Sequence, residues 1–139
     1  MPEVKRSDVV ELRKMQDDRG FLVEFLSAHE LPKGMEKFYQ IYVTTLKPGA
    51  VRGNHYHKNK YEWAGAVAGK IRMTVEDVET GSKEEIMLDS DEKTVRRVMV
   101  RPGYAHTYEN VSDGTAVLVV YTNEVYDPEH PDTYAHRPR

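Results

Sequence analysis

An all-β fold, a sandwich or barrel of many short strands, is what this sequence predicts, and three observations carry it. Turn-forming clusters punctuate the chain at short intervals: DDRG at 17, LPKG at 31, KPG at 47, ETGS at 79, SDE at 90, RPG at 101 and SDG at 112. Between them lie runs rich in β-branched and aromatic residues. No stretch longer than ten residues carries a helical stripe.

Taken in order, strands are expected over 21–26 (FLVEFL), 38–46 (FYQIYVTTL), 62–69 (EWAGAVAG), 70–78 (KIRMTVEDV), 85–90 (EIMLDS), 94–100 (TVRRVMV), 106–111 (HTYENV) and 115–123 (TAVLVVYTN). In the run from Lys70, Ile71, Met73, Val75 and then Asp77 fall on one face, with Arg72, Thr74 and Glu76 on the other, a period of two. Residues 54–57 read as extended. The best helical stretch is a single turn at 27–31. The end of the chain, 125–139 (VYDPEHPDTYAHRPR), holds three of the seven prolines and is expected to run as an extended tail over the surface or across a partner subunit.

The 139 residues suit a single domain, 1–139, with one core. A formal net charge of -3 and an isoelectric point near 6.1, with no local Lys/Arg block, argue against nucleic acid as a partner. No apolar run approaches the roughly 18 residues of a membrane span, and the first residues, MPEVKRSDVVELRK, have no signal-peptide pattern, so a cytoplasmic protein without a membrane partner is expected. Cysteine is absent, so a metal site would have to use imidazole and carboxylate.

The stretch RGNHYHKNKYEW, 52–63, places His55 and His57 two apart and Glu62 five further on. On an extended segment, residues two apart share a face. A turn through 58–60 would bring Glu62 alongside, and His106, just after the RPG turn, could enter the same cavity from a neighbouring strand. Three imidazoles and a carboxylate converging inside a barrel would hold a divalent ion and leave positions open for water or substrate. A His-x-His on a strand is also common on solvated faces, where it ligates nothing. His29, His130 and His136 lack such partners in the sequence and are read as surface residues.

The spacing Gly49, five residues, His55, one, His57, four, Glu62, six, Gly69, followed by Pro102-Gly103, two, His106, three, Asn110, resembles the paired motifs of the cupin superfamily. In the second motif proline directly precedes the glycine, where the family pattern differs. The resemblance implies a double-stranded β-helix, the jelly-roll barrel, and ligation of a divalent ion by His55, His57, Glu62 and His106. Zinc comes first, with iron, manganese, nickel or cobalt as alternatives.

Further along, DDRGFLVEF at 17, FYQIYVTT at 38, RGNHYH at 52, RPGYAHTYEN at 101 and YTNEVYDPEH at 121 follow the order of the dTDP-4-dehydrorhamnose 3,5-epimerase family. The stretches 52–63 and 103–134 are similar to the C-terminal cupin domain of bifunctional capsular-polysaccharide enzymes. In those enzymes the domain binds a metal and epimerises C3 of a UDP-linked 4-keto-6-deoxy-hexosamine before a separate reductase domain acts. No Gly-rich dinucleotide fingerprint occurs in these residues, so reduction is expected of another protein.

The resemblance implies residue roles. His55 maps to the epimerase base and Tyr126 to the opposing acid, with C3 deprotonation made possible by the C4 ketone. If His55 ligates a metal through its basic nitrogen, it cannot also take the C3 proton, and the base must be a hydroxide held by the ion or another residue; both readings stand. Glu62 replaces the epimerase lysine beside the ketone, so a cation held there would take over that lysine's electrostatic role. The carboxylate that pairs with the catalytic histidine lies in a tail this chain lacks, and Asp132 is not a clear substitute.

For substrate, Arg19 and Arg52 are expected at the diphosphate. Arg19, Phe21 and Glu24 match positions that meet the nucleotide, partly across a dimer interface, and Gln40, Tyr42 and Tyr104 are expected to line the sugar pocket. Arg19 could instead fill its turn, and Phe21 and Tyr42 could be core. Trp63, next to Glu62, faces away by alternation and is read as packing. The functional expectation is a metal-dependent nucleotide-sugar epimerase of polysaccharide precursor biosynthesis, acting as a homodimer paired through sheet edges and exchanged amino-terminal strands. A 3,4-ketoisomerase, an iron-dependent dioxygenase and a non-catalytic sugar-binding cupin are the alternatives.

Overall fold

A computed structural model describes residues 8–35, 37 and 39–136. In chain order its elements are β1 (Val9–Arg13), β2 (Met15–Asp17), β3 (Gly20–Leu22), a 3-10 turn (Ala28–Glu30), β4 (Gln40–Leu46), β5 (Val51–Tyr56), β6 (Glu62–Ala68), β7 (Lys70–Asp77), β8 (Lys83–Asp89), β9 (Thr94–Val100), β10 (Tyr104–Asn110), β11 (Ala116–Thr122) and β12 (Tyr134–Ala135). Two five-stranded sheets, β1-β9-β6-β11-β4 and β12-β5-β10-β7-β8, face each other, and β2 pairs with β3 in a separate hairpin. Every strand pair is antiparallel. Because β4 and β5, β9 and β10, and β10 and β11 lie in opposite sheets, the chain winds back and forth around the barrel. This is the jelly roll of the cupins.

Alternation builds the core. Ile71, Met73 and Val75 of β7 point inward against Ile86 and Leu88 of β8, and meet Leu46, Val98, Val100, Leu118 and Val120 from the facing sheet. Burial of such side chains contributes about 1.5–3 kcal/mol each. Trp63 is buried between Tyr61 and Tyr121, with ring centroids 6.2 and 5.5 Å away, in keeping with a packing role.

Several local expectations differ from the structure. The strand expected over 21–26 ends at Leu22. Beyond it the chain leaves the hairpin, the Phe25 carbonyl accepts a hydrogen bond from the Arg97 guanidinium (2.7 Å), and the Phe25 ring fills the space above Gly65, where a Cβ would come within 2.8 Å of it. Strands β1 and β2 were not foreseen. The edge strand β1 exists by pairing with the distant β9, a non-local contact with no local turn to announce it. Glu76, expected on the outer face of β7, is buried because the tail returns over it and brings His136 Nε2 to 3.2 Å from its Oε1. His136 is therefore a packed residue with a partner, not the partnerless surface histidine read from the sequence.

The helical turn expected at 27–31 is present. Glu30 accepts the Ser27 N–H (3.0 Å) with one oxygen and the Arg97 guanidinium (2.9 Å) with the other. The start of the expected 38–46 strand at Phe38, and residues 1–7 and 137–139 of the expected single domain, lie outside the described residues. Among the described residues no helix is long and apolar enough to cross a membrane.

Candidate metal centre

β5 and β10 are neighbours, and their register sets His55 opposite His106. Between His106 and Thr107 the register shifts by a residue, a bulge built on Gly53 at φ 106° and Asn54 at φ 57°. A Cβ on Gly53 would collide with the His106 carbonyl oxygen, so glycine is needed there on two counts. The bulge twists the end of β5, and the rings of His55 and His57 come together, with centroids 5.2 Å apart. Glu62 opens β6 in the facing sheet, and the loop through 58–60 carries the chain across.

One ligand nitrogen from each of His55, His57 and His106 lies within 4.8 Å of the others. The Glu62 carboxylate reaches two of the three: its Oε1 is 3.4 Å from His57 Nε2 and 3.2 Å from His106 Nε2. Its Oε2 accepts the Tyr42 hydroxyl at 3.0 Å. His57, Glu62 and His106 are 3%, 2% and 1% exposed, whereas His55 is only half-buried.

Burial alone would raise the Glu62 carboxyl, but the imidazoles of His106 and His57 more than reverse this and hold it well below the usual range, so it is ionised. For His55, burial first and then the neighbouring His106 and His57 push the imidazole down from 6.5 to about 4, leaving it neutral with a lone pair to give. Burial, then the charge and hydrogen bond of Glu62, push the Tyr42 phenol up, so it stays a donor.

His57 Nδ1 lies 2.7 Å from the Asp132 carbonyl oxygen. A carbonyl only accepts, so Nδ1 carries the proton and Nε2 presents its lone pair to the interior. That Nε2 and the facing Glu62 Oε1 are buried with no hydrogen-bond partner. Three clustered imidazoles and a carboxylate, with His57 Nε2 and Glu62 Oε1 facing each other unpartnered, fit a divalent ion, and the N/O donor set suits zinc, iron, manganese, nickel or cobalt.

Beside this group opens a cavity of about 590 Å³ lined by, among others, Tyr42, Arg52, His55, His106 and Tyr108. The structure therefore brings His55, His57, Glu62, His106, Tyr42 and Arg52 together. Arg52 also donates from Nε to the Thr45 carbonyl at 3.3 Å. The remaining expected site residues lie elsewhere. Tyr104, at 8% exposure, packs in the core cluster. Gln40 accepts the Tyr126 N–H at 2.8 Å through its side chain, and Tyr126 is itself 53% exposed. Arg19 pairs with Asp17 in the β2–β3 turn, and Phe21 lies under the Lys14 ammonium at 4.4 Å. Glu24 is exposed beside a surface depression shared with His29 and Glu30.

One cavity residue was not among those expected from the sequence. Tyr108 is 4% exposed, lines the cavity and has an unpartnered hydroxyl; its alternation with His106 was the available signal. Asp132, weighed in the sequence only as an unclear carboxylate partner for a catalytic histidine, instead accepts three main-chain N–H groups of the loop between His57 and Glu62.

Comparison with known proteins agrees with this architecture. The chain is 34% identical over 119 residues to a UDP-2-acetamido-2,6-beta-L-arabino-hexul-4-ose reductase of Pseudomonas aeruginosa, a match covering 86% of this chain and 30% of the relative. It superposes on the capsular polysaccharide assembling protein CapF of Staphylococcus aureus with a TM-score of 0.69 at 32% identity, over 91% of this chain and 34% of CapF. The chain thus spans about a third of the length of these relatives. It shares its fold with the dTDP-6-deoxy-D-glucose-3,5-epimerase RmlC of Legionella pneumophila, with a TM-score of 0.76 at 21% identity over 91% of this chain and 70% of that one. The family model of the polysaccharide biosynthesis C-terminal domain matches residues 15–134, nearly the whole barrel with its histidine centre and tail, and the chain belongs to that family.

Proposed function

We propose that this chain is a metal-dependent epimerase that removes and returns the C3 proton of a nucleotide-linked 4-keto-6-deoxy sugar in polysaccharide precursor biosynthesis. The observation that carries the reading is the set of three imidazoles and one ionised carboxylate beside a cavity lined by phenols and an arginine. A bound divalent ion, zinc foremost, would supply Lewis acidity at the C4 oxygen, where negative charge develops as C3 loses its proton. His55, His57, His106 and Glu62 would hold it.

The chain's own residues do the rest. Arg52, at the cavity wall, suits the diphosphate, since a guanidinium binds two phosphate oxygens at once. His55 is neutral and the least buried imidazole, so it is available either to ligate or to accept the proton. Of the phenols, Tyr42 is committed to Glu62 and Tyr126 lies outside the cavity wall, whereas Tyr108 lines the cavity and has a buried, unpartnered hydroxyl. Burial pushes the Tyr108 phenol well above its usual range, which keeps it protonated, and it is proposed as the acid in place of Tyr126. The name of the Pseudomonas relative makes a UDP-linked 2-acetamido hexul-4-ose the first substrate to try.

Incubated in heavy water with that sugar, the metal-loaded protein is expected to place deuterium at C3; no incorporation refutes the epimerase reading. Loss of metal and exchange together in His55→Asn marks His55 as a ligand, and loss of exchange with metal retained marks it as the base. Tyr108→Phe and Tyr126→Phe, compared with metal retained, identify the acid. A cytoplasmic homodimer is part of the proposal: β4 is a sheet edge carrying Ile41 and Val43 at 51% and 63% exposure. A monomeric mass by light scattering at working concentration refutes the dimer.

A further inference from the structure

We propose that Asp132 is a positioning residue of the metal centre, and that through it docking of the C-terminal segment and loading of the ion form one linked equilibrium. The inference rests on the metal reading above, and follows from four hydrogen bonds that converge on a single residue of the tail.

The carbonyl of Asp132 accepts from His57 Nδ1 at 2.7 Å. Its carboxylate accepts three consecutive main-chain N–H groups of the loop that joins His57 to Glu62. Lys58 donates to one oxygen at 2.8 Å, and Asn59 and Lys60 donate to the other at 3.0 Å each. The first bond fixes which nitrogen of His57 is free. The other three fix where the loop carrying two of the four ligands sits. Asp132 adopts φ 47°, a left-handed conformation that aspartate and asparagine tolerate better than other side chains, and this aims the carbonyl and the carboxylate at the same loop.

The tail continues the contact past this point. β12 pairs with β5, setting Tyr134 opposite Tyr56 and Ala135 opposite the ligand His55, and the His136 N–H donates to the Asn54 carbonyl at 2.8 Å. Lys58 Nζ stacks over the Tyr134 ring at 4.2 Å. Tyr134 is itself 39% exposed and Ala135 is exposed, so this stretch gains little by burying apolar surface. It is held by polar contacts made largely to the metal-ligand strand and loop. A segment that binds one arrangement of the ligands better than others must, by linkage, be bound better when the ion selects that arrangement.

The test uses the full chain as wild type, Asp132→Ala and Asp132→Asn. Asparagine tolerates the backbone conformation but leaves only one acceptor oxygen for three N–H groups. Zinc affinity is read by competition with a chromophoric chelator, the protonated nitrogen of His57 by long-range nitrogen-proton NMR on metal-free protein, and metal-free stability by chemical unfolding. Asp132→Ala is expected to weaken zinc binding by about 10- to 100-fold, with Asp132→Asn in between. Wild-type His57 is expected to be protonated at Nδ1. Zinc should also slow cleavage after Glu124 and Glu129 by a glutamate-specific protease in the wild type, and less so in Asp132→Ala.

If Asp132→Ala does not fold, Asp132→Asn and the wild-type NMR decide. Equal zinc affinity in the folded proteins overturns the proposal, including the case in which metal-free stability falls and Asp132 is merely structural. Protonation of His57 at Nε2 in the wild type also overturns it. A wild type that binds neither zinc nor cobalt defeats the metal reading itself, and this inference with it.

Discussion

Glu62 buries a carboxylate at 2% exposure against two imidazoles and a phenol. An unpaired buried carboxylate oxygen is costly, and the Glu62 Oε1 facing His57 and His106 has no hydrogen-bond partner. A cation held between them would offset that cost. Tyr42 then has a definite task, because its hydroxyl occupies the oxygen of Glu62 that does not face His57 and His106. Tyr42→Phe is therefore expected to weaken zinc binding by about 10- to 100-fold in a chelator competition; an unchanged affinity would leave Tyr42 only a cavity wall. His55 gives a pH signature. Its folded pKa is lowered from 6.5 to about 4, so between those values the unfolded chain takes up a proton that the folded chain refuses. Stability from this group is full above about 6.5 and falls as the pH drops towards 4, and the denaturant midpoint of the metal-free protein should follow; a flat midpoint across that window refutes it. The clustering of the four candidate ligands was legible because short spacing on extended chain puts His55 and His57 together, and the cupin pattern points to Glu62 and His106. The contacts of Asp132 were not, since they run from its main chain and to loop N–H groups more than 70 residues away.

Among the elements, the bulged end of β5 decides whether the imidazoles meet. Gly53→Ala would need a left-handed φ and place a methyl against the His106 carbonyl. A loss of about 1–3 kcal/mol in chemical unfolding is expected, with weaker zinc binding, because the strain falls between two ligand strands. Wild-type stability in this variant would show that the bulge relaxes freely. The sequence suggested plain extension at 54–57, and alternation served well for β7 from Lys70 to Val75, where local pattern and burial coincide. It failed at Glu76 and at β1, whose environments are made by chain far away. Asn110, the last position of the second motif, is explained by the fold alone: its side chain donates to the Leu46 and Gly114 carbonyls and accepts from Ser112, closing the end of β10.

At the scale of the whole molecule, the ligands come from both sheets: Glu62 from β6 in one, and the histidines from β5, its end and β10 in the other. An ion held there would tie the two halves of the barrel across the core. Zinc at a hundred times its dissociation constant should add about 2.7 kcal/mol to unfolding, relative to chelator-treated protein. Equal thermal midpoints with zinc and with chelator would mean that no zinc binds the folded chain in preference to the unfolded one. The barrel itself was readable from turns and alternation, while the path of the tail was not, because polar, proline-rich chain carries no periodic face to show where it docks.

That path has a consequence for how the protein is made. The four ligands have all emerged from the ribosome once His106 is clear, but the residue that clamps their loop comes only at Asp132, and β12 follows it. With chains growing at about 5–20 residues per second, the nascent barrel passes through an interval in which its ligands exist without their clasp. On the proposed linkage, an ion captured then would be held more loosely than after Asp132 has docked, and could still exchange before β12 pairs with β5.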